Sequence, residues 1–308
     1  MKPETRAVID VGTNSVKLLV ADVAGGKVFP LHEESEQTRL GRGLYETRTL
    51  SAEAIADTAA VVGQFRALAE IWGSASLRVV ATSAAREALN RGELLLALEA
   101  SGGAPVEVLS GEEEAVLAFQ GVATDERLAN ERLLVMDLGG GSTEFILGSQ
   151  GNREFAQSYP LGVVRLLEAV RPSDPPTVED RALCRQMLET MLAGQIAPAL
   201  ANHLARPALL VGSGGTTTIL AKLKLELDGF DRGKIENLAL ERADVEKLAD
   251  RLWSLSLAGR RQMVGLPPKR ADVILAGVAI CSIVMESLKF DSMRISTRGL
   301  RFAAALNP

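Results

Sequence analysis

Two stretches of this chain share one plan, and that duplication limits its fold more than any other feature. "AVIDVGTNSVKLLVADV", Ala7 to Val23, and "VMDLGGGSTEFIL", Val135 to Leu147, each run an apolar strand into an Asp, a glycine-containing turn with Ser or Thr, and a second apolar strand. Asp10 and Asp137 hold equivalent places, too far apart for a solenoid period and suited to a duplicated domain. A third apolar run, "ALLVGSGGTTTIL" from Ala208 to Leu220, leads into a helical pattern, so its glycines form a different kind of loop. With 308 residues, 47% of them hydrophobic, the chain can build two domains with cores of their own.

Between these points strands alternate with helices, as in α/β folds. "SAEAIADTAAVVGQFRALAEIWG" predicts a helix with Ser51 as N-cap and Gly73 past its end. A strand "LRVVA", a helix from about Ala84, a short strand "VEVL" and a helix from Ser110 to about Val122 follow. The polar stretch "ATDERLANER", Ala123 to Arg132, marks the domain junction. Domain I is thus expected over residues 1–125, rejoined by the C-terminal helix at about 298–308, and domain II over 126–297. "RPSDPPTVED" reads as a Pro-rich loop inside the second half. "ADVEKLADRLWSLS" reads as an amphipathic helix, and the nearly all-apolar "ADVILAGVAICSIVMESL" as a buried one.

Composition removes several kinds of function. A net charge of −5 argues against a partner such as nucleic acid or an anionic membrane, so any anion site must be local. "MKPETRAVID" carries no apolar signal stretch, and no later window approaches the roughly 20 apolar residues of a membrane span, so the cytoplasm is the expected location. Cys184 and Cys281 lie far apart in helical patterns and predict buried thiols rather than a disulfide or zinc knuckle. His32 and His203 are the only histidines, leaving little for a Ser-His-Asp triad or a multi-histidine metal site. Chemistry must rest on carboxylates, arginines, hydroxyls and backbone amides.

An ordinary tight hairpin, which takes one or two glycines for positive φ, accounts for part of "DLGGGSTE" but not easily for Gly139, Gly140 and Gly141 together. Both copies of the turn also carry hydroxyls, Thr13 and Ser15 in one, Ser142 and Thr143 in the other. Amides freed by missing side chains, with hydroxyl donors, form a nest for phosphate oxygens, and a flanking Asp can hold the accompanying divalent cation.

At this point the residues resemble known proteins. "DVGTNS", "DLGGGSTE" and "VGSGG" are similar to the phosphate loops of the actin/sugar-kinase/heat-shock-chaperone superfamily. Together with "TRLGRGL", "ATSAAREALN", "LSGEEEAVLAFQGV", "YPLGVVRLLE", "RADVILAGVAI" and "STRGLR", they resemble the exopolyphosphatase/guanosine pentaphosphate phosphohydrolase (Ppx/GppA) family over essentially the whole chain. The resemblance implies an α/β fold of two duplicated actin-like (ribonuclease H-like) domains with an interdomain cleft. It also implies release of terminal orthophosphate from inorganic polyphosphate, or from the 5′ triphosphate of guanosine pentaphosphate, with Mg²⁺ or alternatively Mn²⁺. An actin-like ATPase, a sugar kinase and a non-enzymatic phosphate-ligand sensor are the rival readings. The implied partners are polyphosphate or the pentaphosphate, without nucleic acid or membrane, and a homodimer is left open.

The same resemblance assigns phosphate binding to Gly12, Thr13, Asn14, Ser15, Arg39 and Arg86, to Gly139, Gly140, Gly141, Ser142 and Thr143, and to Gly214 and Gly215. Arginine's planar fork suits phosphate oxygens; Lys17 and Arg42 are further cationic candidates. Arg165, Lys269, Arg270, Arg298 and Arg301 either line a channel or solvate helices. In "SGEEEA", Ser110 with Glu113 spells a capping box, so Glu113 is accounted for and Glu114, one residue beyond, is left for chemistry. By resemblance Glu114 is the general base, a role a carboxylate can fill. Asp137 is assigned to the metal, Glu144 to the same acidic cluster as a metal or water-orienting catalytic group, and Asp10 as a weaker metal candidate. Without the family, Asp137 could simply close an Asx turn and Glu144 could be a solvent-facing strand acid. The chain departs from the family at Val116, where a basic residue is usual, and at Phe302 and Ala303, where an acid and a glycine are common. It also stops near the end of the second domain, which would favour shorter chains or a nucleotide.

Overall fold

The computed structural model describes residues 3–149 and 152–307, which form two compact units. Unit 1 runs to Glu126 and includes Gly140–Ser142 and the stretch from Arg298 onward; unit 2 comprises Arg127–Gly139 and Thr143–Thr297.

Unit 1 holds strands β1 (Glu4–Val11), β2 (Val16–Ala24), β3 (Lys27–Glu36), β4 (Ser76–Ala81) and β5 (Val106–Val108), in the order β3-β2-β1-β4-β5. The first three are antiparallel, whereas β4 and β5 run parallel to β1, each reached through helices. Strand β1 is buried on both faces. Ala7, Ile9 and Val11 join one core with Leu18, Val20 and the helix residues Val62, Phe65, Leu94 and Leu98, while Val8 joins Leu19, Phe302 and Ala305 on the other side. This is the period of two expected for a strand covered by helices on each face. Sequence reading stops at the β1–β2 hairpin and omits β3, an edge strand that is largely exposed and carries Pro30, an edge residue by chemistry. Its pairing to β2 shifts between Val20 and Ala21, where Leu31 is passed over.

The helix expected from Ala84 is broken in two. Ser83–Glu87 ends at an extended Ala88, and Arg91–Gly102 begins three residues later. Asn90 holds the break by accepting from Leu50 N at 2.9 Å and donating to Leu50 O at 3.0 Å.

Unit 2 repeats the plan with β6 (Leu133–Leu138), β7 (Thr143–Ser149), β8 (Asn152–Tyr159), β9 (Leu209–Ser213), β10 (Ala239–Glu241) and β11 (Ser292–Ile295). Its order is β10-β11-β9-β6-β7-β8, so β8-β7-β6-β9-β11 mirrors the order of unit 1 and β10 is an added edge. Asp10 pairs with Lys17 and Asp137 with Glu144, each at the penultimate position of its leading strand, which is the duplication read from the sequence. Helix Ile274–Ser287 is buried over most of its length, as its composition predicts. Cys184 and Cys281 are buried free thiols, each pushed up to about 12 by loss of solvent. No described helix is long and apolar enough to cross a membrane.

The last helix of unit 1, Leu300–Leu306, packs on helix Gly111–Ala123. Two arginines that sequence left undecided belong to this packing: Arg298 donates to Thr124 O and lies over the Phe302 ring, and Arg301 donates to Leu18 O and Glu33. A Cβ on Gly121 would lie 1.9 Å from the Gly299 carbonyl oxygen. Backbone cannot yield there as a flexible side chain can, so Gly121→Ala should cost about 1–3 kcal/mol, read as a lower urea midpoint. An unchanged midpoint would show that the two helices can part without loss.

Candidate functional site

In unit 1, Gly12–Ser15 connects β1 to β2 and is closed by Gly12 N donating to Ser15 O at 3.0 Å. Thr13, Asn14 and Ser15 are buried. A second segment grips this turn: Arg39 N donates to Asn14 O at 3.1 Å and Gly41 N to Thr13 O at 2.7 Å. Arg39 takes a φ of 54° to do so. Gln37 Nε2 donates to Asn14 Oδ1 at 3.2 Å. The Thr13 hydroxyl and the Asn14 amide nitrogen are buried and have no hydrogen-bond partner among the described residues. Native folds leave few such atoms.

Gly140 and Gly141 lie in the same unit and meet this turn. A Cβ on Gly140 would sit 2.9 Å from Thr13 Cβ, and one on Gly141 would sit 2.0 Å from Tyr45 Oη and 2.4 Å from Ser83 Oγ. Neither has the positive φ that a tight hairpin would require. Close approach is therefore the reason for glycine at both positions, and the protein's own hydroxyls take part of the room.

Ser83 opens the short helix Ser83–Glu87 and donates to Glu87 Oε1 at 2.8 Å. The same helix carries Arg86, whose Nη1 donates to Glu114 Oε2 at 3.0 Å and to Leu109 O at 2.8 Å. Ser110 and Glu113 form the expected capping box at the start of Gly111–Ala123, and the bond from Ser110 N holds the Glu113 carboxyl below its usual range. Glu114 is buried but does not stand free: Arg86 fixes its carboxylate with a charge-assisted bond.

Unit 2 carries the second pair of acids. Asp137 and Glu144 face one another across β6 and β7, and each is bonded to the serine across its other flank. Ser213 Oγ, opposite Asp137 on β9, donates to Asp137 Oδ1 at 2.8 Å; Ser158 Oγ, opposite Glu144 on β8, donates to Glu144 Oε1 at 2.7 Å. Glu144 is 1% exposed, which removes the reading of a solvent-facing acid, and Asp137 is bonded across the sheet rather than into its own turn. Thr143 is fully buried, and its hydroxyl donates to Leu161 O. Gly139 O accepts from Val163 N at 3.1 Å, and Ser142 is buried.

Gly214 has a φ of 99°, and a Cβ there would meet Leu138 O at 2.6 Å and Asp137 Oδ1 at 3.2 Å. It lets the backbone turn from β9 into helix Gly215–Leu225 beside the acid. A Cβ on Gly215 would lie 3.5 Å from Arg270 Nη2. Among the described residues no group of three or more His, Cys, Asp or Glu is gathered as a metal ligand set. Both histidines serve packing: His32 stacks on Trp72 and His203 sits against Phe155.

Sequence reasoning missed Gln37, Tyr45, Ser83, Ser158 and Ser213. Tyr45 could have been noticed as one of two tyrosines in the chain, in a run beside "TRLGRG". Ser213 lies inside the quoted "VGSGG", but its pairing with Asp137, like that of Ser158 with Glu144, comes from strand register.

Comparison with known proteins follows the same outline. The model of the Ppx/GppA phosphatase family matches residues 19–303. Exopolyphosphatase 2 of Mycobacterium tuberculosis is 34% identical, with 98% of this chain and 97% of that protein covered. The crystal structure of the Aquifex aeolicus Ppx/GppA family member is 30% identical with a TM-score of 0.80, covering 99% of this chain and 97% of that one. An exopolyphosphatase structure from Cytophaga hutchinsonii is 26% identical with a TM-score of 0.87, covering 97% and 96%. The fold is the duplicated actin-like α/β architecture.

Proposed function

The chain belongs to the Ppx/GppA phosphatase family and is a phosphoric anhydride hydrolase; on that premise we propose that it is a Mg²⁺-dependent exopolyphosphatase, removing terminal orthophosphate from inorganic polyphosphate. One observation carries the reading. A single short helix brings Ser83 to Gly141 of the glycine loop and, one turn on, Arg86 to Glu114. A buried carboxylate is thereby tied to the turn whose Thr13 hydroxyl and Asn14 amide are buried donors without acceptors among the described residues. Anionic phosphate oxygens satisfy such donors.

Glu114 takes a proton from water as the water oxygen attacks the terminal phosphorus. The bond from that phosphorus to the bridging oxygen breaks, and the bridging oxygen leaves with the electron pair on the shortened polymer. Arg86 keeps the Glu114 carboxylate in place for that transfer. Asp137 and Glu144, opposed on neighbouring strands, are the residues that would hold Mg²⁺, an ion that habitually takes one or two carboxylates and completes its shell with water and phosphate oxygens. When bound it would offset charge on the phosphoryl oxygens.

Orthophosphate release from short polyphosphate, long polyphosphate, guanosine pentaphosphate and ATP, with and without Mg²⁺, tests the proposal. Metal-dependent release from polyphosphate is expected. Release from guanosine pentaphosphate alone would move the substrate to the nucleotide, and release from ATP alone would overturn the reading.

A further inference from the structure

We infer that Gln37 is a positioning residue: it orients the Asn14 side-chain amide so that the NH₂ end, not the carbonyl, is presented to phosphate. The inference rests on the phosphohydrolase reading above. The two ends of an asparagine amide have nearly the same size and opposite hydrogen-bonding character, so shape cannot choose between them and a partner must. Gln37 Nε2 donates to Asn14 Oδ1 at 3.2 Å, and of the two ways this amide pair can face, only this one turns an Asn14 donor toward an anion. The carbonyl end is thereby engaged, and Asn14 Nδ2 is left as a buried donor with no partner among the described residues. The reverse orientation would aim a carbonyl dipole at an anion.

The backbone of the turn is held by other bonds, from Arg39 N to Asn14 O and from Gly41 N to Thr13 O. Removing the Gln37 amide therefore leaves the path of the turn in place and releases only the orientation of the Asn14 side chain. The Thr13 hydroxyl, in the same turn, is a second buried donor without a partner among the described residues. An unsatisfied buried donor costs about 1–3 kcal/mol, so two adjacent ones, one of them held in orientation by a third side chain, point to a ligand that accepts from both. Gln37 Nε2 carries a second N–H besides the one given to Asn14, and direct contact with substrate through that donor is the competing explanation.

A double-mutant cycle separates the two. Gln37→Met keeps length and removes the amide; Asn14→Ala removes the group acted upon. With short-chain polyphosphate, Asn14→Ala should lower kcat/KM by roughly 10- to 100-fold, as for a lost bond to a charged group, and Gln37→Met by a few-fold, chiefly through KM. In the Asn14→Ala background, Gln37→Met should add nothing. An additive loss would overturn the inference in favour of direct contact, and a fall in melting temperature with unchanged KM would overturn it in favour of a structural role. If the unsubstituted protein hydrolyses nothing, the phosphohydrolase reading fails. The same cycle run on tripolyphosphate binding by calorimetry then still decides the role of Gln37.

Discussion

Exchanging Glu114 for Gln is expected to reduce orthophosphate release by a factor of roughly 100 to 10,000, the usual contribution of a positioned general base. The substitution keeps the size of the side chain and an oxygen able to accept from Arg86, whose Nη1 also remains bonded to Leu109 O. What it removes is the capacity to take a proton. Stability should fall by only about 1 kcal/mol, the difference between a charged and a neutral hydrogen bond at this position. Rate under single-turnover conditions and urea midpoint, measured on the same preparation, give the two halves of the prediction. Most of the rate retained would assign proton removal to another group; a large loss of stability would make Glu114 a structural acid of the Arg86 pair.

The features legible in the sequence are those whose causes are local. The β1–β2 and β6–β7 hairpins announce themselves by apolar runs around an Asp and glycines, and Ser110 with Glu113 spells its cap within four residues. The outer strands β3 and β8 escaped because each pairs on one side only, so neither needs a continuous apolar run. Partners distant in sequence escaped for a different reason. Asn14 meets Gln37, Asp137 meets Ser213 and Gly141 meets Ser83 only after strands and helices have been placed, and each partner is a residue type common on any surface. Glu114 shows the boundary between the two cases: cap logic isolates it correctly from Glu113, yet nothing near it in the chain indicates that Arg86 will hold it. The glycines were read as room for phosphate at the backbone, whereas the structure sets the protein's own Thr13, Tyr45 and Ser83 side chains against Gly140 and Gly141.

That distinction has a measurable consequence at Gly141, where Ala should lower kcat/KM by about 100-fold or more and destabilise unit 1 by about 1–3 kcal/mol, the usual range for overpacking. The new Cβ would fall 2.0 Å from Tyr45 Oη, 2.4 Å from Ser83 Oγ and 2.9 Å from Thr13 Oγ1, so three hydroxyls must move for one methyl group. Two demands on the same room can be separated by adding Tyr45→Phe, which removes the nearest oxygen. If Gly141 is small to admit the Tyr45 hydroxyl, Gly141→Ala/Tyr45→Phe should recover much of the urea midpoint lost by Gly141→Ala alone. If it is also small so that phosphate can approach the backbone, hydrolysis should remain low in that stabilised double variant. Recovery of both would make the glycine a packing device alone and leave phosphate approach to Gly140, beside Thr13 and Asn14. Recovery of neither would place the constraint on Ser83 and with it on the helix that carries Arg86 to Glu114.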